Sequence, residues 1–462
     1  MYLKRFRIER VKCFESVELH FPHDRDDFAG WVVLLGGNGT GKSTLLQAMA
    51  LTLIGPLAGQ RLLQPHGWVL SGAAYGELTA EIVKGEQDSQ LGQPRKKPYE
   101  VHFAVTGGQT VELDGQPYDQ PQLVHLADPA KRKALASGPY ASRRPGWFCC
   151  GYGPFRRLSG GDAAEAKLVY SQGVEARFAT LFRESAALTM CQDWLTQLYS
   201  RSIDPSNAQK DQSRQDFETV RKVIDHLLPG DVRVEKIDTT MVYFRTIGGA
   251  VVPVPDLSDG YRSFLALAVD MLRHVVEANL DLSSLVQTTA EGVQVTVAGI
   301  VLIDEADAHL HPLWQRSIGF QLRRVFPRIQ FIVTTHSPFV AQAATDDGLL
   351  VLRPGDTGRV GVVRPLQTVK GWRADQILTS PLFGLSGTRD LDTERLLREQ
   401  RDLAAKREWD HMSEAEQQRL AQLEDELARR VTAPGESLEE RTRQEEMRRY
   451  VEKTLQRIGE EP

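Results

Sequence analysis

Gly36-Gly37-Asn38-Gly39-Thr40-Gly41-Lys42-Ser43 has the spacing Gly-x-x-x-x-Gly-Lys-Ser/Thr. The chemistry it fits is polyphosphate binding. Glycines let the backbone curl until its N–H groups face phosphate oxygens. A helix expected from Ser43 adds positive potential at the same point. In this reading Gly36, Asn38, Gly39, Gly41 and Thr44 line the phosphates of ATP, Lys42 reaches its β- and γ-phosphates, and Ser43 ligates Mg²⁺. A second group, Ile300-Val301-Leu302-Ile303-Asp304-Glu305, is an apolar run that ends in two carboxylates. Asp304 would hold Mg²⁺ through water, and Glu305 would orient and deprotonate an attacking water. A third apolar run, Phe331-Ile332-Val333, leads through Thr334 and Thr335 to His336.

Each of these groups needs a strand to hold it. Trp31–Leu35 is a short continuous apolar run, as expected of a strand buried on both faces. Gly299–Asp304 and Ile329–Thr335 read the same way. Helices are expected at Ser43–Leu53, closed by Gly55-Pro56, at Asp259–Asn279 and at Pro312–Val325. Alternation at Leu3, Phe6, Ile8 and Val11, at Val17, Leu19 and Phe21, and at Leu78, Ala80 and Ile82 predicts half-buried strands. Tyr99–Val105 continues that pattern, after a polar stretch at 84–98 that reads as a hairpin tip or loop. Residues 107–162 are loop-rich and 163–229 largely helical. Beyond Thr368 the chain is helical and polar, with Leu420, Leu423 and Leu427 as a thin apolar stripe that suits packing or a partner.

The composition of the 462 residues is that of a folded globular protein, 41% hydrophobic and 25% charged. No run is long and apolar enough for a membrane helix, and the N-terminal residues lack the apolar core of a signal peptide, so a cytoplasmic location without membrane contact is expected. Cys13, Cys149, Cys150 and Cys191 form no zinc pattern and read as reduced thiols. The net charge of −5 argues against a general affinity for nucleic acid, but residues 95–157 form a basic region that could contact it.

Together these motifs resemble the ABC ATPase superfamily, in particular its SMC/RecF/OLD-like branch, over about residues 1–60 and 250–365. The opening Leu3-Lys4-Arg5-Phe6-Arg7-Ile8, followed by Val17-Glu18-Leu19-His20-Phe21, is similar to the first hairpin of that branch. The resemblance implies an α/β fold: an ABC ATPase head, a mixed sheet around a P-loop core, with a helical insertion and a helical C-terminal region. Its parts would be an N-lobe at 1–106, a loop-rich and helical insertion at 107–230, a C-lobe at 231–366 and a charged helical region at 367–462. It further implies that His336 senses the γ-phosphate, and that Lys12 stands where the branch often has a nucleotide-facing arginine. Ala306–Pro312, with His309 and His311, would be the D-loop rather than a metal pair.

The signature that reads a second protomer's nucleotide has two candidates. Leu158-Ser159-Gly160-Gly161-Asp162 matches better by letter. Leu257-Ser258-Asp259-Gly260 opens a helix ahead of the Asp304 strand, and position favours it, with Ser258 and Gly260 facing nucleotide. The implied assembly is a homodimer closed by an ATP sandwich, or a higher even-numbered oligomer, with slow hydrolysis. Asp375–Leu385 and the charged tail resemble AAA_21-type ATPases, among them the PtuA-like ATPases of Septu and retron-linked anti-phage systems. That resemblance implies a separate effector, an HNH-type nuclease or another toxin. The alternative is a RecF-like repair ATPase that binds DNA and loads partners.

Overall fold

Four runs with both faces buried are strands of the sheet that carries the motifs. The computed structural model describes residues 1–430 apart from 22–27, 64–66, 90–96, 108–109, 114–115, 119–120, 142–145, 159, 161, 172, 229–231, 247, 279–281, 291, 356–357, 366–367 and 409–411. It divides into two compact units, residues 1–371 and the remainder.

The first unit begins with β1 (Tyr2–Val11), β2 (Phe14–His20), β3 (Gly30–Gly36), α1 (Lys42–Leu62), β4 (Tyr75–Val83) and β5 (Tyr99–Thr106). The short strands β6 (Val111–Leu113), β7 (Gln116–Tyr118) and β8 (Leu123–His125) follow, then α2 (Pro129–Ser137) and β9 (Phe148–Tyr152). Helices α3 (Ala163–Val169), α4 (Ala179–Phe182), α5 (Met190–Ile203) and α6 (Lys210–Leu227) precede β10 (Arg233–Ile237), β11 (Val242–Arg245) and β12 (Val251–Pro253). Next come α7 (Asp259–Glu277), α8 (Leu282–Leu285), β13 (Val286–Thr289), β14 (Gly292–Val295) and β15 (Gly299–Ile303). The unit closes with α9 (Pro312–Val325), β16 (Ile329–Thr334), α10 (Pro338–Ala341), β17 (Leu349–Pro354) and β18 (Val360–Val363).

The six-stranded sheet runs β18-β17-β3-β16-β15-β9, parallel except for β18 at its edge. In register, Val33 lies beside Val333, Val333 beside Ile303, and Ile303 beside Tyr152. The strands therefore end side by side, and everything that follows them collects at one edge, where open α/β sheets bind ligands. The alternating strands form an antiparallel sheet, β2-β1-β4-β5-β8. Apolar residues of both sheets and of α1 share one core. Gln330, fully buried in β16, clasps Leu3 of β1: its oxygen accepts from the Leu3 N–H at 2.7 Å and its amide donates to the Leu3 carbonyl at 2.8 Å. This is the mixed α/β architecture the resemblance implies.

Two local expectations change. Segment 107–230, expected to be an insertion, supplies β9 to the central sheet. Five residues containing Cys149, Cys150 and Gly151 are too short for their periodicity to stand out. Helix α1 also continues past Gly55-Pro56, bending there with Gly55 at φ 80°. Pro56 has no N–H for the Thr52 carbonyl one turn earlier, and the half-buried Tyr140 donates its hydroxyl to that oxygen instead at 2.6 Å. In the second unit, α11 (Ala374–Thr379) is followed by α12 (Leu391–Glu408) and α13 (Glu414–Arg430). Leu420 and Leu423 of the apolar stripe pack on Leu403, and Arg419 forks onto Glu399 at 2.8 and 2.9 Å. Residues 431–462 of the expected charged region lie outside the described residues.

Candidate nucleotide site

The loop after β3 takes the shape its glycines permit. Gly39 and Gly41 have φ of 77° and 86°, the left-handed region that penalises other residues. A Cβ on Gly41 would also lie 2.6–2.7 Å from the Phe14 ring and the Cys13 sulfur, so the β1–β2 turn walls the loop. Thr40 ties the loop to itself through its hydroxyl, 2.9 Å from the Gly37 carbonyl. Lys42 folds its ammonium back over the loop, donating to the carbonyls of Gly36 and Gly37 at 2.8 and 3.0 Å. Burial lowers the Lys42 pKa, while Asp304, Glu305 and Asp307 pull it back up. All three carboxylates lie just after β15. Ser43, at the start of α1, is exposed, and Thr44 is buried.

Asp304 is only 4% exposed, and its carboxylate accepts from the Thr334 hydroxyl at 2.5 Å. The same hydroxyl accepts the Glu305 N–H at 2.7 Å, so the end of β16 sets the turn after β15. Glu305 is left-handed, φ 45°, a conformation that costs a non-glycine residue about 1–2 kcal/mol. His336 is exposed at the end of β16, and its N–H donates to the Asp307 carboxylate at 3.2 Å. Asp307 also accepts from the Thr335 hydroxyl. Gln315 of α9 completes this knot: its amide donates to the carbonyls of Asp307 and Leu310, and its oxygen accepts from Ser337 at 2.7 Å. Asp307, Thr334 and Gln315 hold these turns through backbone and side-chain bonds together, and nothing in the sequence singles them out.

Lys12 lies on the turn that walls the loop. Its ammonium sits 4.7 Å from the Trp68 ring centre, and burial lowers its pKa. Ser258 precedes α7, is exposed, and makes no capping bond. Gly260 packs under the 306–312 loop; a Cβ there would come 2.7 Å from the His309 carbonyl. Gly260→Ala should therefore displace that loop and lower ATP turnover by about tenfold or more with little loss of nucleotide binding, since small displacements of catalytic parts are costly. Turnover within twofold of wild type would mean the contact is slack.

Of the other signature candidate, Ser159 and Gly161 lie outside the described residues. Leu158 and Asp259 nonetheless line one pocket of about 280 Å³ with Arg157, Arg262 and His309, so the two candidate segments meet. Of the described members of the basic region, Lys97, Lys133 and Arg157 are exposed. Lys131 pairs with Glu100 and Asp128, Arg132 donates to the His125 and Ala127 carbonyls, and Arg156 is buried. Arg95, Lys96, Arg143 and Arg144 lie outside the described residues. Among the described residues no group of three or more His, Cys, Asp or Glu could hold a metal, and no helix is long and apolar enough to cross a membrane.

The residues present fit Mg-ATP. A glycine cradle with a lysine folded over it, an exposed serine at the helix start and a buried carboxylate nearby are the donors that a polyphosphate and a hard cation require.

Two family models match the chain, one described as "AAA domain, putative AbiEii toxin, Type IV TA system" over residues 162–341, the other as "AAA domain" over residues 5–124. The chain is 27% identical over 391 residues to the Septu protein PtuA of Bacillus mycoides (strain KBAB4), which takes in 84% of this chain and 45% of that one. It is 35% identical over 124 residues to the "Retron Vc95 probable ATPase" of Vibrio cholerae serotype O1 biovar El Tor, 27% of this chain and 22% of that one. It thus spans less than half the length of these relatives. Among solved structures, the crystal structure of the SmcHead bound to the C-winged helix domain of ScpA aligns with a TM-score of 0.45 and 16% identity, over 79% of this chain and 98% of that one.

Proposed function

We propose that this chain, an ABC-class ATPase resembling the PtuA-like defence ATPases, is an ATP-gated dimeric switch that controls a separate effector, a nuclease or toxin, in anti-phage defence. One observation carries the dimeric part. Each copy gathers Lys42, Asp304, Glu305 and His336 at one sheet edge, while the 19-residue helix α7 starts at an exposed, uncapped Ser258. The unpaired N–H groups of that first turn suit the terminal phosphate of nucleotide held by a second copy.

In this reading the Gly36–Gly41 loop and Lys42 bind the phosphates, and Ser43 and Asp304 hold Mg²⁺. The ion supplies charge neutralisation on the phosphate oxygens. Glu305 orients a water and takes its proton, and Thr334 keeps the Glu305 backbone in register with Asp304. His336, whose backbone N–H is held by Asp307, would sense the γ-phosphate. Closure stores the ATP state in the shape of the dimer, and hydrolysis releases it. The defence role rests on the likeness to PtuA and to the retron ATPase.

The test is the mass of the protein with and without Mg-ATP, after co-expression with its neighbouring genes. ATP-dependent dimers that retain a co-purifying nuclease or toxin are expected. Ser258→Arg should bind ATP within about threefold of wild type, yet stay monomeric and lose about 10²-fold in turnover, the scale of a lost phosphate-facing donor. A chain that stays monomeric with Mg-ATP refutes the switch. One that dimerises, binds duplex DNA and brings down no effector favours a RecF-like role.

A further inference from the structure

Arg156 is a buried cation whose hydrogen-bond partners among the described residues are all neutral acceptors. It is 4% exposed, on the loop that leaves β9. Its guanidinium donates to the carbonyls of Gly153 at 3.0 Å, Asp304 at 3.1 Å and Glu305 at 3.3 Å, and to the Ser263 hydroxyl at 3.2 Å. Three elements meet there: its own loop, the turn that carries Asp304 and Glu305, and the second turn of α7. A lysine could not span them, because its donors radiate from one point whereas the guanidinium is a planar fork. Burial lowers the Arg156 pKa to about 10, against the pull of Asp304, Asp307 and Glu305, so it remains charged at neutral pH.

A second link runs parallel to the first. Tyr152, the last residue of β9, donates its hydroxyl to the Asp270 carboxylate at 3.0 Å, two turns further along α7. Asp270 is itself clamped by Arg273 at 2.7 Å and His274 at 3.0 Å. Burial alone would raise the Asp270 pKa, but His274 and Arg273 overcome it and hold the carboxyl ionised. Helix α7 is thus tied to the end of β9 at Asp270 and to the following loop at Ser263, and Arg156 extends the second tie to the backbone of Glu305.

We propose that Arg156 is a positioning residue that couples the seating of the α7 N-terminus to the aim of Glu305. Engagement of α7 by a second copy would be felt at the Glu305 carbonyl through Ser263 and the guanidinium, with no contact between Arg156 and nucleotide. The proposal rests on Glu305 being the proton acceptor, as proposed above.

The experiment compares Arg156→Met, Arg156→Lys, Ser263→Ala and Glu305→Gln by ATP turnover, binding of a fluorescent ATP analogue, Mg-ATP-dependent dimer mass and thermal melting. Arg156→Met should lose about 10²-fold in kcat, the scale of a roughly 1 Å misplacement, with nucleotide binding within about threefold. Arg156→Lys should recover part of that loss. Ser263→Ala should lose about threefold alone and add nothing in the Arg156→Met background, because both act through one linkage. If Arg156→Met does not fold, Arg156→Lys and Ser263→Ala decide the question.

Turnover within twofold of wild type in folded Arg156 variants overturns the proposal and leaves the Glu305 assignment standing. Equal losses in binding and kcat also overturn it, because Arg156 then shapes the nucleotide pocket. If Glu305→Gln turns over normally, the general-base reading fails, and the proposed coupling fails with it, whatever Arg156→Met does.

Discussion

Lys42→Ala should weaken ATP binding by about tenfold to 10²-fold or more while leaving the fold intact. The ammonium sits over the loop it closes, donating to two loop carbonyls, and three carboxylates partly offset the effect of burial on its charge. Phosphate oxygens are better acceptors than those carbonyls. A hydrogen bond to a charged group contributes about 1.5–3 kcal/mol, so losing this one should weaken binding by at least about tenfold to 10²-fold. Loss of favourable charge at the phosphates deepens the deficit. Calorimetric titration with Mg-ATP reads the affinity, and far-UV circular dichroism checks the fold. Retained affinity within threefold would mean that the glycine loop reads phosphate without its lysine, and the site assignment would need to move.

Glu305→Gln should separate binding from chemistry. The amide matches the carboxylate in size but cannot take a proton, so turnover should fall by about 10²–10⁴. The Glu305 N–H bond to Thr334 and the Arg156 contact to its carbonyl involve backbone atoms, so the substitution leaves both in place. Nucleotide should therefore bind normally, and the closed dimer should accumulate in Mg-ATP, visible by light scattering. Wild-type hydrolysis by Glu305→Gln removes this residue from the chemistry.

The motifs were legible because their physics is local. Glycines at fixed spacing and apolar runs ending in carboxylates or histidine mark strand ends whatever surrounds them, and the parallel register then brings Gly36, Asp304 and His336 to one edge. What stayed hidden depends on distant partners. Phe148–Tyr152 is a core strand because β15 pairs with it, not because its five residues announce one. Arg156 reads as one more member of a basic region until burial places it beneath the Glu305 turn. Helix α1 passes Gly55-Pro56 because a tyrosine 88 positions after Thr52 meets the stranded carbonyl. In each case the deciding neighbour is remote in sequence, where periodicity carries no information.

The strand order also governs how the molecule is made. β3, which carries the glycine loop, lies between β17 and β16, and both come about 300 residues later in the chain. During synthesis it leaves the ribosome with neither neighbour yet translated. At the ordinary rate of about 5–20 residues per second, it waits tens of seconds with both edges open. A continuous apolar strand in that condition is a template for pairing with other chains. The nascent protein thus passes through an interval in which the strand that precedes its glycine loop is open to mispairing. Nucleotide affinity then arrives late and all at once, when residues 329–354 close the sheet around β3.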